Sequence, residues 1–415
     1  MVLRKASIDG STGRAREGVQ FPWTRSCSST IMNRGVVVLK ETGDSEPITT
    51  ACRLHDEAMN LRSQGQLKPA RASGQQALAI LEKELGSEHP DVGNVLNHLG
   101  EAELEAGHYS EAGKLFRRAV SIMQELVGDK DIVRIRVQSL NNLGTVHRIQ
   151  GRYRAAYSSL RRALRLAEKA LGHMDLEVAS TLNNLGVLLK YQNRFTEAGT
   201  AYRRALLILE TAYGTGHKEL ATIYHNLGGL EHERGRFARG EPFARRSVEI
   251  RESALGTNHV EVAADLAALA ALLDAQGKDD EAQALYRRAL VIFERTYGCK
   301  HYEVAVCLNN LAAIKHRQGK SKEAENLYKR ALAIKEKVLG SDNPDLALTL
   351  NNLAISYKSE GRFARAEPLS KRALAIFSKA FGPKHAKTVL CRQNYEGLLD
   401  EIVPQGAPAK RGTAR

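Results

Sequence analysis

The sequence predicts an all-α fold, a solenoid of about eight stacked helix-turn-helix repeats closed by a C-terminal capping helix, and three observations carry that expectation. A glycine returns at Gly86, Gly128, Gly172, Gly214, Gly256, Gly298, Gly340 and Gly382, at intervals of 42, 44, 42, 42, 42, 42 and 42 residues. Midway lies a second mark, GHYSEA, GRYRAA, NRFTEA, GRFARG, GKDDEA, GKSKEA and GRFARA, starting at 107, 151, 193, 235, 277, 319 and 361, with a partial copy at Gly65. Between the marks apolar residues fall at helical spacing, as in Leu182, Leu185 and Leu189 before the turn and Phe195, Ala198, Tyr202, Ala205, Leu206 and Leu209 after it.

Taken in order, residues 1–45 are rich in Ser, Thr, Gly and Arg with few acids, and are expected to be a disordered basic tail. A targeting signal is not expected there, because Asp9, Glu17 and Pro22 interrupt it and no secretory apolar stretch is present. The repeats follow at about 46–86, 87–128, 129–172, 173–214, 215–256, 257–298, 299–340 and 341–382. Each is a first helix, a turn whose Gly or Asn suits a left-handed cap, a second helix and a longer connector. A hairpin of two helices of roughly 16 residues, about 24 Å long, does not bury its apolar faces alone, so neighbours stack. His89, His217, His259, His301 and His385, with Asp131, Asp175 and Asn343 in the other units, stand three residues after the connector glycine. Followed by Pro90 and Asp91 or Pro344 and Asp345, they read as helix caps; a whole helix pair separates successive copies, too far to share a metal ion. Residues 383–402 place Arg392 and Gln393 where Leu350 and Asn351 stood, which suits a polar capping helix, and 403–415 form a second disordered tail.

Composition narrows the function. No apolar run reaches bilayer length, and the five cysteines are widely spaced without a C-x-x-C pair, so neither a disulfide framework nor a zinc site is expected and a cytoplasmic setting fits best. No cofactor and no catalysis are expected: G-x-S-x-G, a phosphate loop and H-E-x-x-H are all missing. The net charge of +14 matches a basic pair in every second helix from the second repeat onward: Arg117–Arg118, Arg161–Arg162, Arg203–Arg204, Arg245–Arg246, Arg287–Arg288, Lys329–Arg330 and Lys371–Arg372. Glu241, Glu325 and Glu367 stand four residues before three of them. The stripe reads as a solvated face; contact with an anionic surface or nucleic acid is the alternative, weakened by the lack of stacking aromatics.

The small and large residues around Gly144, Ala112, Ala198, Ala324 and Ala366 follow the tetratricopeptide pattern, stretched to 42 residues. With LNNLG or LNNLA at 140, 182, 308 and 350 and GKSKEAENLYKRALAI at 319, the chain strongly resembles the tetratricopeptide domain of kinesin light chains over about residues 47–400. Stand-alone bacterial proteins carry the same repeat. No heptads precede the first unit, so the expectation is a stand-alone repeat protein rather than a motor subunit.

The resemblance implies that first helices line the inner surface and that groove asparagines, with nearby Arg and Lys, hold a short acidic peptide of a protein partner. Beside the core stripe Leu182, Leu185, Gly186 and Leu189, Asn183 shares a flank with Val187 and Lys190, whereas Asn184 lies on the other flank with Leu188 and Tyr191. The first flank is expected to face the groove and the second to pack against a neighbour. The candidate groove residues are therefore Asn97, Asn141, Arg148, Asn183, Lys190, His225, His232, Asn309, His316, Asn351 and Lys358. The alternative is an asparagine ladder in which repeats tie themselves together. Repeat six departs, with Ala267, Ala271 and Asp274 in these places, an apolar dip suited to a large hydrophobic anchor or simply a divergent unit. A self-associating repeat protein with an empty groove is the competing reading.

Overall fold

The structure is a computed structural model that describes residues 45–124 and 130–402. Apart from Ser45, the two expected tails lie outside the described residues, as does Gly128. The described residues hold helices and turns and no strand.

Helices pair along the chain as α1 (Glu46–Ser63) with α2 (Leu67–Leu85), α3 (Pro90–Glu105) with α4 (Tyr109–Ile122), α5 (Lys130–Ile149) with α6 (Tyr153–Ala170), and α7 (Leu176–Tyr191) with α8 (Phe195–Tyr213). There follow α9 (Lys218–Glu233), α10 (Phe237–Leu255), α11 (Val260–Ala275), α12 (Asp279–Tyr297), α13 (Tyr302–Arg317), α14 (Ser321–Leu339), α15 (Pro344–Ser359), α16 (Phe363–Phe381) and α17 (Ala386–Ile402). The chain forms two compact units, whose described residues are 45–230 and 231–402. In the first, α2, α4 and α6 each pack against the next first helix, and α1, α3, α5 and α7 also approach one another in succession; in the second, α13, α15 and α17 also approach one another in succession. This is an all-α repeat solenoid.

The local chemistry explains the punctuation. His89, His259 and His301 cap their helices by accepting the backbone N–H two residues on through Nδ1, at 3.3 Å each, and His217 and His385 accept in the same way at 3.4 and 3.2 Å. Asp175 and Asn343 do the same work at 2.9 and 2.8 Å. Asp131 differs: it lies in the first turn of α5, where its charge favours the positive helix end. Asn193 is the non-glycine with positive φ, 60°, at the turn where the other repeats place glycine. Inside the hairpin, a Cβ on Gly186 would lie 2.5 Å from the ring of Tyr202, so the small residue is what lets the tyrosine lie flat against the first helix.

Candidate functional site

The first helices α7, α11, α13 and α15 are buried on most sides, and on these and on α5 one line is left more open. On α7 that line is Ser180, Asn184 and Tyr191, while Asn183, Val187 and Lys190 are buried. On α5 it runs Gln138, Asn142, Thr145 and Ile149, on α13 Val306, Asn310, Ala313 and Arg317, and on α15 Leu348, Asn352, Ile355 and Ser359. Thus the second asparagine of each pair lies on the open line, and the first, one residue or about 100° around the helix, turns toward the neighbouring first helix.

There the first asparagines accept from the second-position asparagines of the next repeat and so form a ladder. Asn226 Nδ2 donates to Asn183 Oδ1 at 2.8 Å, Asn352 to Asn309 at 3.5 Å, Asn394 to Asn351 at 3.3 Å and Asn142 to Asn97 at 3.3 Å. Asn97 Oδ1 also accepts from Ser139 Oγ at 2.9 Å, and Asn141 Nδ2 donates to Thr181 Oγ1 at 2.8 Å. These five first asparagines are between 0% and 7% exposed, so a buried amide that lost its partner would carry a desolvation cost. The flank expected to face the groove is thus the side where consecutive first helices meet.

Of the other expected residues, Lys190 and His225 are buried. Four keep a half-exposed position. Arg148 sets its guanidinium 5.3 Å over the Tyr191 ring. His232 meets Phe237 edge-on at 5.3 Å. His316 is held below its ordinary value chiefly by burial, and Lys358 Nζ donates to the carbonyl of Gly397 at 2.7 Å and pairs with Glu401 at 3.1 Å.

The open line changes character between the units. In the first it is polar, with Gln138, Asn142, Thr145, Ser180 and Asn184. Gln138 Nε2 donates at 2.7 Å to Glu177, whose carboxyl burial pushes up to about 7. Burial opposes ionisation of Glu101, yet Arg62 beside it holds that carboxyl below the usual range. In the second unit the line keeps Asn310 and Asn352 and is otherwise mainly aliphatic, with Ala264, Ala271 and Ala275 of α11, Val306 and Ala313 of α13, and Leu348 and Ile355 of α15, all half-buried. Arg317 sits beside it, engaged by Asp274 and by Asp279 at 2.9 Å. The alanine dip of repeat six therefore extends over three first helices. The register of Val306, Ala313, Leu348 and Ile355 was the signal for this, visible only once the phase of the open line is known.

The sequence pattern of the tetratricopeptide repeat matches residues 49–125, 136–211, 177–253, 219–290, 275–337 and 345–401, more than half of the chain. The chain belongs to the tetratricopeptide repeat family. No curated protein matches it. Among solved structures, it is similar to BtubC (BKLC) from P. vanneervenii, at 22% identity over 61% of this chain and 94% of that one, with a TM-score of 0.45. A STAND (signal transduction ATPase with numerous domains) protein with a tetratricopeptide repeat sensor from Pyrococcus horikoshii is 14% identical over 86% of this chain and 50% of that one, at a TM-score of 0.58. A Rap protein complexed with Competence and Sporulation Factor is 15% identical over 86% and 99%, at 0.53. The latter two likenesses speak to the fold.

The second helices of these tetratricopeptide repeats carry a feature that pattern reading missed. The second member of the basic pair reaches back to a glutamate in the last turns of the preceding second helix: Arg118 to Glu82 at 2.5 Å, Arg204 to Glu168 at 2.6 Å, Arg288 to Glu252 at 2.5 Å, Arg330 to Glu294, and Arg372 to Glu336 at 2.6 Å. Arg118 and Arg288 also donate to connector carbonyls, those of Ser87 at 3.1 Å and Thr257 at 2.9 Å. These arginines staple repeats together, each pair at the modest strength of an exposed ion pair. Among the described residues no helix is long and apolar enough to cross a membrane.

Proposed function

We propose that the chain is a non-catalytic protein-interaction scaffold that holds an extended segment of a protein partner along the open line of its first helices. The observation that carries this reading is the division of labour within the LNNL stretch. The first amide is spent on holding neighbouring repeats, with Asn142 and Asn352 of the half-exposed line as donors in two places, and the other positions of that line vary from polar to aliphatic. A guest lying along that line would meet hydrogen-bonding side chains in the first unit and apolar ones in the second. An acidic guest is favoured by Arg148, the expected cation that stays half-exposed beside an aromatic ring; Lys358 is already paired with Glu401. The cytoplasm is the proposed setting. Contact of the dibasic stripe with nucleic acid or an anionic surface has less support, because five of its arginines are matched by glutamates.

The test is affinity capture with three proteins: the parent, A271E/A313E, which puts charge on the aliphatic line, and R148A/Y191A, which strips the polar one. Both variants change half-exposed side chains, so helicity by circular dichroism is expected to match the parent. The proposal expects a partner captured by the parent and lost or weakened in a variant. Identical captures from all three would end it.

A further inference from the structure

We propose that the hollow at the turn Gly235–Arg239 is a binding site for a single anionic group, a phosphate or carboxylate carried on an apolar ring or chain. The hollow has a volume of about 490 Å³ and is lined by Gly235, Arg236, Phe237, Ala238 and Arg239 on one side and by Ala275 and Gln276, at the end of α11, on the other. It lies at the hairpin turn and meets the open line only at its end, at Ala275, and the arginines that would hold the anion are not part of that line, so the site stands or falls separately from the scaffold reading.

Every repeat has such a turn. At three of the others the corresponding cation is matched within the protein, Arg194 by Glu197 at 2.7 Å, Lys278 by Glu241 at 2.7 Å and Arg362 by Glu325 at 2.6 Å. Among the described residues the turn at Gly151 shares the unmatched pair, in Arg152 and Arg154, and the turn at Gly235 adds the hollow beside its arginines. The closest sequence copy is GRFARA at 361, and there both arginines are answered. Arg362 also meets Glu360 at 3.0 Å and lies 4.3 Å over the Tyr357 ring, and Arg365 lies 3.7 Å from Glu325. Three repeats earlier the register puts Gly199 where Glu325 stands and Arg234 where Glu360 stands. The motif GRFAR was kept while both of its carboxylates were replaced. Arg234 is taken up by Glu231 at 2.8 Å, and among the described residues the guanidiniums of Arg236 and Arg239 have neither a hydrogen bond nor an ion pair.

The other charges around the hollow do not fill the gap. Glu241 accepts from Gln276 at 2.9 Å, but its carboxylate is committed to Lys278 at 2.7 Å and Arg245 at 2.8 Å. Two planar, fully charged donors three residues apart are suited to the oxygens of one phosphate or carboxylate. Phe237, half-buried between them with the His232 ring against it, and the methyl of Ala275 supply an apolar wall for whatever carries the anion.

Phenyl phosphate is the probe, followed by phosphorus NMR at low ionic strength with the full chain. The expected result is a broadened, shifted phosphorus line with the parent and a loss of affinity of about tenfold or more in R236Q/R239Q. R234E restores a carboxylate where Glu360 stands in the answered turn and is expected to lose binding with both arginines still present, which separates occupancy from damage. Circular dichroism checks that each variant keeps its helices. Benzoate that displaces phenyl phosphate assigns the site to carboxylates as well, and benzoate that does not assigns it to phosphates; both uphold an anion site. No broadening with the parent, or equal broadening with all three proteins, overturns it.

Discussion

The two units share one backbone plan and differ in what they expose and what they bury. Both open lines carry the second asparagine, Asn142 and Asn184 in the first unit and Asn310 and Asn352 in the second; around it stand Gln138, Thr145 and Ser180 in the first and Ala264, Ala271, Val306, Ala313, Leu348 and Ile355 in the second. Beside these lines the same ladder runs in both, Asn183 with Asn226 in one and Asn309 with Asn352 in the other. The difference teaches where constraint ends. Asparagines that join repeats recur in both units, whereas half-exposed positions a turn away change from polar to aliphatic, Gln138 and Ser180 in one unit against Val306 and Leu348 in the other.

The units also differ in how they bury charge. The second holds Arg251 against Asp265 at 3.1 Å, with Glu261 at 3.3 Å, and Lys335 against Asp345 at 2.9 Å. The first buries a neutral pair, with His98 Nδ1 3.0 Å from His55 Nε2, beside the ion pair of Arg62 with Glu101. The largest effect is therefore expected from D265A, which takes the buried carboxylate away from Arg251 in the core. The predicted loss is about 3–5 kcal/mol, read as a lowered urea midpoint by circular dichroism. R251L/D265L should be far milder, because it removes both charges; equal losses in the two proteins would show that the ion pair is not what the second unit relies on.

Acid should break the first unit's arrangement. Burial, with His98 and Arg62 beside it, pushes His55 down to about 3, and burial lowers His98 as well. A folded value below the unfolded one means that this contribution is fully present above about pH 6.5 and is lost as the pH falls from there toward 3. For His55 the loss is on the order of 4 kcal/mol across that window. The parent should lose stability steadily below pH 6.5, and H55L/H98L should lose much of that slope; an unchanged slope would place the acid sensitivity elsewhere.

A smaller contrast concerns the tyrosines under the ladder. The Tyr286 hydroxyl accepts from Asn310 Nδ2 at 3.2 Å, whereas the buried Tyr202 hydroxyl finds no partner among the described residues. Y286F should cost about 1 kcal/mol and Y202F should be neutral or stabilising, as urea midpoints will show.

Much of this fold was legible in the sequence, because glycine spacing, turn chemistry and capping residues are local. Asp175 and His301 sit where helix-start rules put them. The phase of the inner helices was not legible: α7 is buried around most of its circumference, so Leu182, Leu185 and Leu189 do not distinguish the side facing a neighbour from the side facing open space. Asn183 and Asn184 differ by one step of about 100°, and that step separates the side facing a neighbour from the half-exposed line. The staples escaped for a related reason, since Arg288 and Glu252 lie 36 residues apart, beyond any within-helix rule. Arg251 and Lys335, in register with Phe293 and Phe377, were the visible sign of buried ion pairs.

The central claim, that the first asparagines serve the stack, is tested most directly by a double-mutant cycle on Asn183 and Asn226. N183A and N226A are each expected to lower stability by about 1–3 kcal/mol, and the double variant by less than their sum, with a coupling of about 1 kcal/mol. Strictly additive losses, or single variants as stable as the parent, would contradict it and return Asn183 to the groove.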